Sequence, residues 1–169
     1  MEMKFKGKIW KLGDNIDTDI ILPTQWLTLG DMDKVKMYAF EPLRPELAAA
    51  IRPGDIIVAG KNFGCGSSRE MAPEALARLG VRCIVAKSFA RIFFRNAINN
   101  GLLLIECDLA DAVTEGDVIE VEVNHCIRAG GREFPIPKIA ENVFRIVEAG
   151  GLVKYMQALN RVQNSKGVE

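Results

Sequence analysis

Several things are missing from this 169-residue chain, and each absence removes a class of function. No run of eighteen or more apolar residues occurs, so the sequence predicts no membrane-spanning helix. No net charge remains either, because Lys plus Arg and Asp plus Glu both number 22, and a balanced chain carries no electrostatic footprint for nucleic acid or an anionic membrane. No C-x-x-C pair occurs: Cys65, Cys83, Cys107 and Cys126 lie 18, 24 and 19 residues apart. A chain of this length builds its core without disulfides, so reduced thiols are expected. Histidine occurs once, as His125, in a region read as β-structure, where a surface or packing role is expected. The N-terminal "MEMKFKGKIW" places charges where an export signal needs an apolar stretch, which predicts a cytoplasmic protein.

What is present is the composition of a globular protein, 49% hydrophobic and 26% charged, enough for one substantial domain over residues 1–169. A β-type opening from Lys4 to Leu12 leads into "GDNIDTDIILP", read as a turn before a short apolar run that Pro23 closes. Further on the pattern sharpens. "DIIVAG", "RCIVAK" and "LLLIE" are apolar runs of the kind buried in a sheet. Between them stand two helical stretches, "SREMAPEALARLG" and "SFARIFFRNAINNG". Gly80 and Gly101 suit their C-terminal ends, and Ser88 suits the N-cap of the second. This is a βαβαβ pattern, which implies parallel strands. "DVIEVEV" and "GGREFPIP" add short strands, and helical segments follow over about residues 138–160. The fold class expected is α/β, a βαβαβ core with additional short β-strands.

The least ordinary stretch is "GKNFGCGSSRE", Gly60 to Glu70. In an open α/β unit, ligands bind beyond the C-terminal ends of the strands, where helix N-termini present unpaired N–H groups to anions. Gly64 and Gly66 allow a sharp turn and a close backbone approach to a ligand. Ser67 and Ser68 are read at the cap or first turn of the helix, with their hydroxyls facing the same space. Arg69 adds a planar fork that matches a carboxylate. The P-loop lysine is absent and an arginine present, which favours carboxylate over phosphate. Taken on form alone, such a turn serves packing as readily as binding.

Three segments together resemble the small subunits of 3-isopropylmalate dehydratase, the detached swivelling β/β/α domain of the aconitase superfamily. They are "GDNIDTDIILP", "GKNFGCGSSREMAPEAL" and "VAKSFARIFFRNAINNGLLLI", and the likeness runs from about Lys4 to Leu159. The resemblance implies a hydro-lyase of leucine biosynthesis that isomerises an alkylmalate by dehydration and rehydration. It implies a 4Fe–4S cluster on a partner large subunit and none on this chain, with activity only in a heterodimer or heterotetramer. It assigns Ser67 as the base, with Ser68 and Arg69 holding a substrate carboxylate beside Cys65 and Gly66. Thr18 and Asp19 would line the cleft facing the large subunit. Relatives carry His where this chain has Met71, which is expected to alter packing behind the turn.

The loop after Pro23 is where such proteins select substrate. "TQWLTLGDMD" offers no arginine or lysine for an extra carboxylate, while Trp26, Leu27 and Leu29, with Thr28 between them, suit an alkyl group. Homoaconitate or another alkylmalate stays open as substrate. So do two readings of other classes, an anion-binding regulatory module using the same turn and a standalone α/β enzyme. Asp14, Asp17 and Asp19 lie close together, but the glycine and distant glutamate of a calcium loop are misplaced, so no metal is expected there.

Overall fold

The β-branched and leucine-rich runs become strands because only a sheet buries every residue of so short a segment. The computed structural model describes residues 2–166. Strands β1 (Lys4–Lys11), β2 (Ile56–Ala59), β3 (Cys83–Ala86) and β4 (Leu103–Glu106) form one half of a seven-stranded sheet. The other half is β5 (Val118–Glu122), β6 (Cys126–Ala129) and β7 (Arg132–Pro135), giving the order β4-β3-β2-β1-β5-β6-β7. Pairings from β1 through β4 are parallel, as the βαβαβ pattern implies. The pairings β1–β5, β5–β6 and β6–β7 are antiparallel.

β1 joins the halves by dividing its length between two neighbours. Lys4 to Lys8 pair with β5, and Ile9 to Lys11 pair with β2. Every residue of β2 and β3 is buried, yet the pleat still sends alternate side chains to opposite faces. Ile57, Ala59, Ile84, Ala86 and Leu104 enter a core covered by α4 (Met71–Arg78) and α5 (Arg91–Asn99). Residues 12–51 complete that cover through Ile21, Leu22, Phe40 and Leu47. Three one-turn helices lie in this segment, α1 (Thr18–Ile21), α2 (Met32–Val35) and α3 (Leu47–Ala50). Ile56, Val58, Cys83, Val85, Leu103 and Ile105 face a second core with Ile119, Val121 and Ile127, so the sheet curls over onto its own antiparallel half. Phe144 of α6 (Glu141–Glu148) closes that core. The last helix, α7 (Leu152–Lys166), runs past the expected end near residue 160 and buries none of its residues.

Several local expectations need correcting. The segment Thr18–Ile21 is a helical turn and not part of an extended run, because Asp17 caps it by accepting a bond from the Ile20 N–H at 2.9 Å. Helix α4 begins only at Met71, so Ser67 and Ser68 lie outside it. Helix α5 begins at Arg91, and the Ser88 hydroxyl instead accepts from the Asn62 N–H at 2.8 Å. Among the described residues no helix is long and apolar enough to cross a membrane.

Candidate functional site

The C-terminal ends of β1 and β2 lead into two loops that run side by side, residues 12–18 and 60–66. Gly60 N–H donates to Gly13 O at 3.1 Å, Asn15 to Lys61 at 2.8 Å, Gly64 to Ile16 at 2.7 Å and Thr18 to Cys65 at 2.9 Å. Asp14 adds a side-chain rung by accepting from the Lys61 N–H at 2.7 Å. A Cβ on Gly60 would fall 1.8 Å from that carboxylate oxygen, so any other residue there would push Asp14 off the rung. On the other flank Phe63 exchanges backbone bonds with Ser88 and Ala90, both 3.0 Å, which joins the loop to the start of α5. These seven hydrogen bonds hold the chain from Gly60 to Gly66 before any ligand is considered.

The two glycines of the turn do different work. Gly64, at φ +82°, has Phe93 where its Cβ would be, 2.1 Å from the ring, so its smallness serves packing and not ligand approach. Phe93 packs edge-on against Phe63, with ring centroids 5.4 Å apart. Gly66, at φ +96° and exposed, would bring a Cβ only to ordinary contact with Thr18. Its requirement is the left-handed backbone that turns the chain outward towards the serines.

Beyond Gly66 the pair of hydroxyls and the arginine spread over one surface. Ser67 and Ser68 are exposed. Ser67 Oγ lies 3.1 Å from the hydroxyl of Thr18, a residue only 2% exposed. Among the described residues, the N–H groups of Gly66, Ser67 and Ser68 donate to no protein acceptor, whereas that of Arg69 bonds Ser67 O at 3.0 Å. Arg69 reaches back to the segment Thr18–Leu22: one guanidinium nitrogen donates to Leu22 O at 3.2 Å and the other meets Asp19 at 2.5 Å. The fork is thereby oriented and half-buried, with an exposed carboxylate of its own chain on one edge. The Cys65 thiol is pushed up from its ordinary range, first by partial burial and then by the nearby Asp17 carboxylate, so it is held as a neutral thiol.

Ser67, Ser68, Arg69, Gly66, Cys65, Thr18 and Asp19 thus lie on two adjoining loops at the same end of the sheet. The selectivity loop is adjacent in sequence, a 3-10 segment over Thr24–Leu29. Trp26 does not stand free in it: the indole stacks on Tyr38 at a centroid distance of 3.8 Å and donates to Glu41. Leu27 packs on the core, while Thr28 and Leu29 are exposed. Four contributors escaped sequence reasoning. Tyr38 and Glu41 hold Trp26, Phe93 fills the space beside Gly64, and the Leu22 carbonyl orients Arg69. A fifth, Asp17, did carry a readable signal, an N-cap type followed by Asp19 in a first helical turn.

An iron–sulfur cluster needs converging thiolates, and the cysteines do not converge. Among the described residues the group with metal-ligand proximity is Glu122, His125 and Cys126, which contains a single thiol. The Glu122 carboxylate there is already held by Arg128 at 2.8 Å, and that contact lowers its pKa. Cys83 is fully buried, and burial pushes its thiol up to about 12. The residues of this chain do not fit a 4Fe–4S group.

Residues 30–109 match the aconitase C-terminal domain family. A curated relative from Lachnospira eligens, a 3-isopropylmalate dehydratase small subunit, is 63% identical over 95% of this chain and 98% of its own. Another, 3-isopropylmalate dehydratase small subunit 1 of Archaeoglobus fulgidus, is 45% identical over 90% of this chain and 97% of its own. The fold superposes on a crystal structure titled 3-isopropylmalate dehydratase from Methanocaldococcus jannaschii with a TM-score of 0.91. That pair is 36% identical, over 97% of this chain and 99% of the other.

Proposed function

Because this chain belongs to the family of 3-isopropylmalate dehydratase small subunits, we propose that its serine–arginine turn is one half of an active site that a large subunit completes. The reaction is that of a hydro-lyase in leucine biosynthesis, interconverting 2-isopropylmalate and 3-isopropylmalate through loss and return of water. The large subunit carries the 4Fe–4S cluster in this reading, and the cluster supplies Lewis acidity to the substrate when bound.

The chemical difficulty is a proton next to a carboxylate. Removing it adds negative charge to a group already charged, so a base must sit on the hydrogen and positive dipoles must sit where charge grows. Ser67, as the alkoxide, is the base: its oxygen takes the proton and becomes a hydroxyl, the C–H electron pair becomes the double bond, and the substrate hydroxyl leaves the neighbouring carbon with the C–O pair, to be protonated to water. Re-addition of water at the other carbon reverses those steps. Arg69 and Ser68 hold the carboxylate, together with the outward N–H groups of Gly66, Ser67 and Ser68. The observation that carries this reading is that both side chains are anchored on one short segment, Thr18–Leu22. Ser67 Oγ lies 3.1 Å from the Thr18 hydroxyl, the Arg69 guanidinium is held by Leu22 and Asp19, and the intervening N–H groups of Gly66, Ser67 and Ser68 meet no protein acceptor among the described residues.

In the free subunit Asp19 occupies one edge of Arg69. A substrate carboxylate is isoelectronic with it, so binding exchanges one carboxylate for another and leaves the arginine paired throughout. Selectivity for an alkyl substituent follows from the loop Thr24–Leu29, which has no cation to meet a third carboxylate, with Trp26, Leu27, Thr28 and Leu29 as the candidates that set it. The protein works in the cytoplasm.

The test is reconstitution. The chain is expressed alone and with its large subunit, and alkene formation from isopropylmalate is followed by ultraviolet absorbance. Activity in the mixture and none in the chain alone is the expected result. Turnover by the chain alone overturns the reading, as does faster turnover of homoaconitate than of isopropylmalate for its substrate part.

A further inference from the structure

Beside the turn, at the same end of the sheet, lies a second concavity that the chemistry above does not use. It is a groove of about 510 Å³ between the first turns of α5 and the segment Pro137–Val143. Its floor is apolar, built from Phe89, Phe94, Ile98, Leu104, Ile105 and Ile139. Phe89 and Phe94 meet edge-on, with centroids 5.9 Å apart, which gives the floor a fixed shape. Strand β4 forms one wall and is the edge of the sheet, paired only with β3. Phe89, Phe94 and Ile139 are half-buried, and a sheet edge beside accessible apolar side chains is a liability unless something covers it.

The rim has a charge bias. Arg91, Arg95 and Lys138 stand around the groove against one acid, Glu106. None of these three cations has an ion-pair partner among the described residues, whereas Glu141 nearby is engaged by Arg145 at 2.5 Å. The chain as a whole has no cation excess, so the local bias is not a consequence of composition. The groove is also continuous with the active face, because its wall residue Phe89 is bridged to Phe63 inside the Gly60–Glu70 loop.

From these features we infer that the groove is a docking site for an acidic, apolar segment of the large subunit, separate from the substrate contacts. The inference rests on the small-subunit reading of the chain. Apolar side chains of that segment cover Phe89, Phe94 and Ile139, and its carboxylates pair with Arg91, Arg95 and Lys138. Because the groove adjoins the loop that carries Ser67, seating the segment also sets the position of the serine over the partner's half of the site.

The experiment measures association of the two subunits by calorimetry and turnover at saturating large subunit. Wild type must first bind and activate the large subunit; failure there sinks the small-subunit reading itself and not the groove alone. Given that, Arg91→Glu/Arg95→Glu is expected to weaken Kd about 10- to 100-fold and to flatten its salt dependence, with near-wild-type kcat once saturated. Circular dichroism and the melting temperature establish that the variant is folded. Should it not fold, Lys138→Glu, on a different segment, is read in its place, with a smaller expected loss of about 3- to 10-fold from a single rim charge. Hydrogen exchange in the wild-type complex is expected to show new protection at residues 89–98, 103–106 and 137–143. An unchanged Kd with an unchanged salt slope, or absence of that protection, overturns the inference. So does a dimer of the isolated chain that the same substitutions dissociate, since the occupant is then a second copy.

Discussion

Replacing Ser67 by alanine separates chemistry from architecture, because the structure gives the two very different magnitudes. Ser67 is exposed, and its hydroxyl makes one side-chain bond, 3.1 Å to Thr18. Loss of one such bond costs about 0.5–1.5 kcal/mol. Thr18 is 2% exposed, so leaving its hydroxyl without that partner moves the cost towards the upper end of that range. At roughly 2–4 °C per kcal/mol for a domain of this size, the melting temperature of Ser67→Ala falls by about 2–6 °C. Removing a general base costs on the order of 10²–10⁴ in rate, or about 3–5 kcal/mol at 1.36 kcal/mol per tenfold. The assay is alkene formation by the reconstituted complex, read as kcat and KM separately, beside the melting curve of the isolated subunit. The expected pattern is a collapse of kcat with KM within a few-fold, since Arg69 and the loop N–H groups still hold the carboxylate. Thr18→Val serves as control: it removes the orienting partner but keeps the serine, and should lose only about tenfold in kcat. A Ser67→Ala enzyme within tenfold of wild type would falsify the assignment of the base. A melting temperature lower by more than about 10 °C would show that the residue serves the fold instead.

Asp19→Asn frees one edge of Arg69, so substrate no longer displaces a carboxylate; KM should fall by a few-fold while Arg69→Lys raises it at least tenfold, and the opposite signs in steady-state kinetics would refute the exchange. Gly64→Ala forces a Cβ to within 2.1 Å of the Phe93 ring at φ +82°, a combined overpacking and left-handed strain of about 2–5 kcal/mol. Its melting temperature should drop by roughly 5–15 °C, with partial recovery in Gly64→Ala/Phe93→Leu. Burial raises the Cys83 thiol from 9.0 to about 12, so the folded state keeps it neutral while an unfolded chain ionises. Its contribution is intact below pH 9 and is lost as pH rises towards 12, at up to about 1.4 kcal/mol per pH unit; urea titrations of Cys83→Ala should show a shallower alkaline decline than wild type. Leu29 is 43% exposed and tolerates a longer side chain, so Leu29→Arg should shift relative kcat/KM from isopropylmalate towards a tricarboxylate, and an unchanged ratio would remove this loop from substrate selection.

The parallel half of the sheet was legible because four-residue runs such as Ile56–Ala59 and Cys83–Ala86 are buried on both faces and therefore apolar throughout. The antiparallel half was harder: Cys126–Ala129 carries Arg128 in its middle, a charged residue paired with three glutamates, which hides the strand from hydrophobic pattern reading. The serines were read at the cap or first turn of the helix, whereas they lie ahead of it on the loop. Sequence favours a helix from Ser68 onward, yet Thr18 and Leu22 hold Ser67 and Arg69 out of helical geometry. Those contacts span 49 and 47 residues, beyond the reach of any local propensity. The same holds for Thr18–Ile21, whose β-branched composition suggests extension until the backbone bond to Cys65 and the Asp17 cap decide for a helical turn. Trp26 was legible as apolar surface, while its immobilisation by Tyr38 and Glu41 was not.

The divided strand β1 has a consequence for how the molecule comes into being. It precedes the other described strands along the chain, yet Lys4 has its antiparallel partner at Glu122. The units β2-α4-β3-α5-β4 close over short sequence separations and are therefore suited to form early, while closure of the long loop back to β1 carries the larger entropic cost. Ile9 to Lys11 can settle on β2 as soon as that strand exists, but Lys4 to Lys8 must wait for β5. Until then the nascent chain holds a half-formed sheet with an open lysine-rich margin, Lys4, Lys6 and Lys8, and like charges there discourage two unfinished chains from pairing edge to edge.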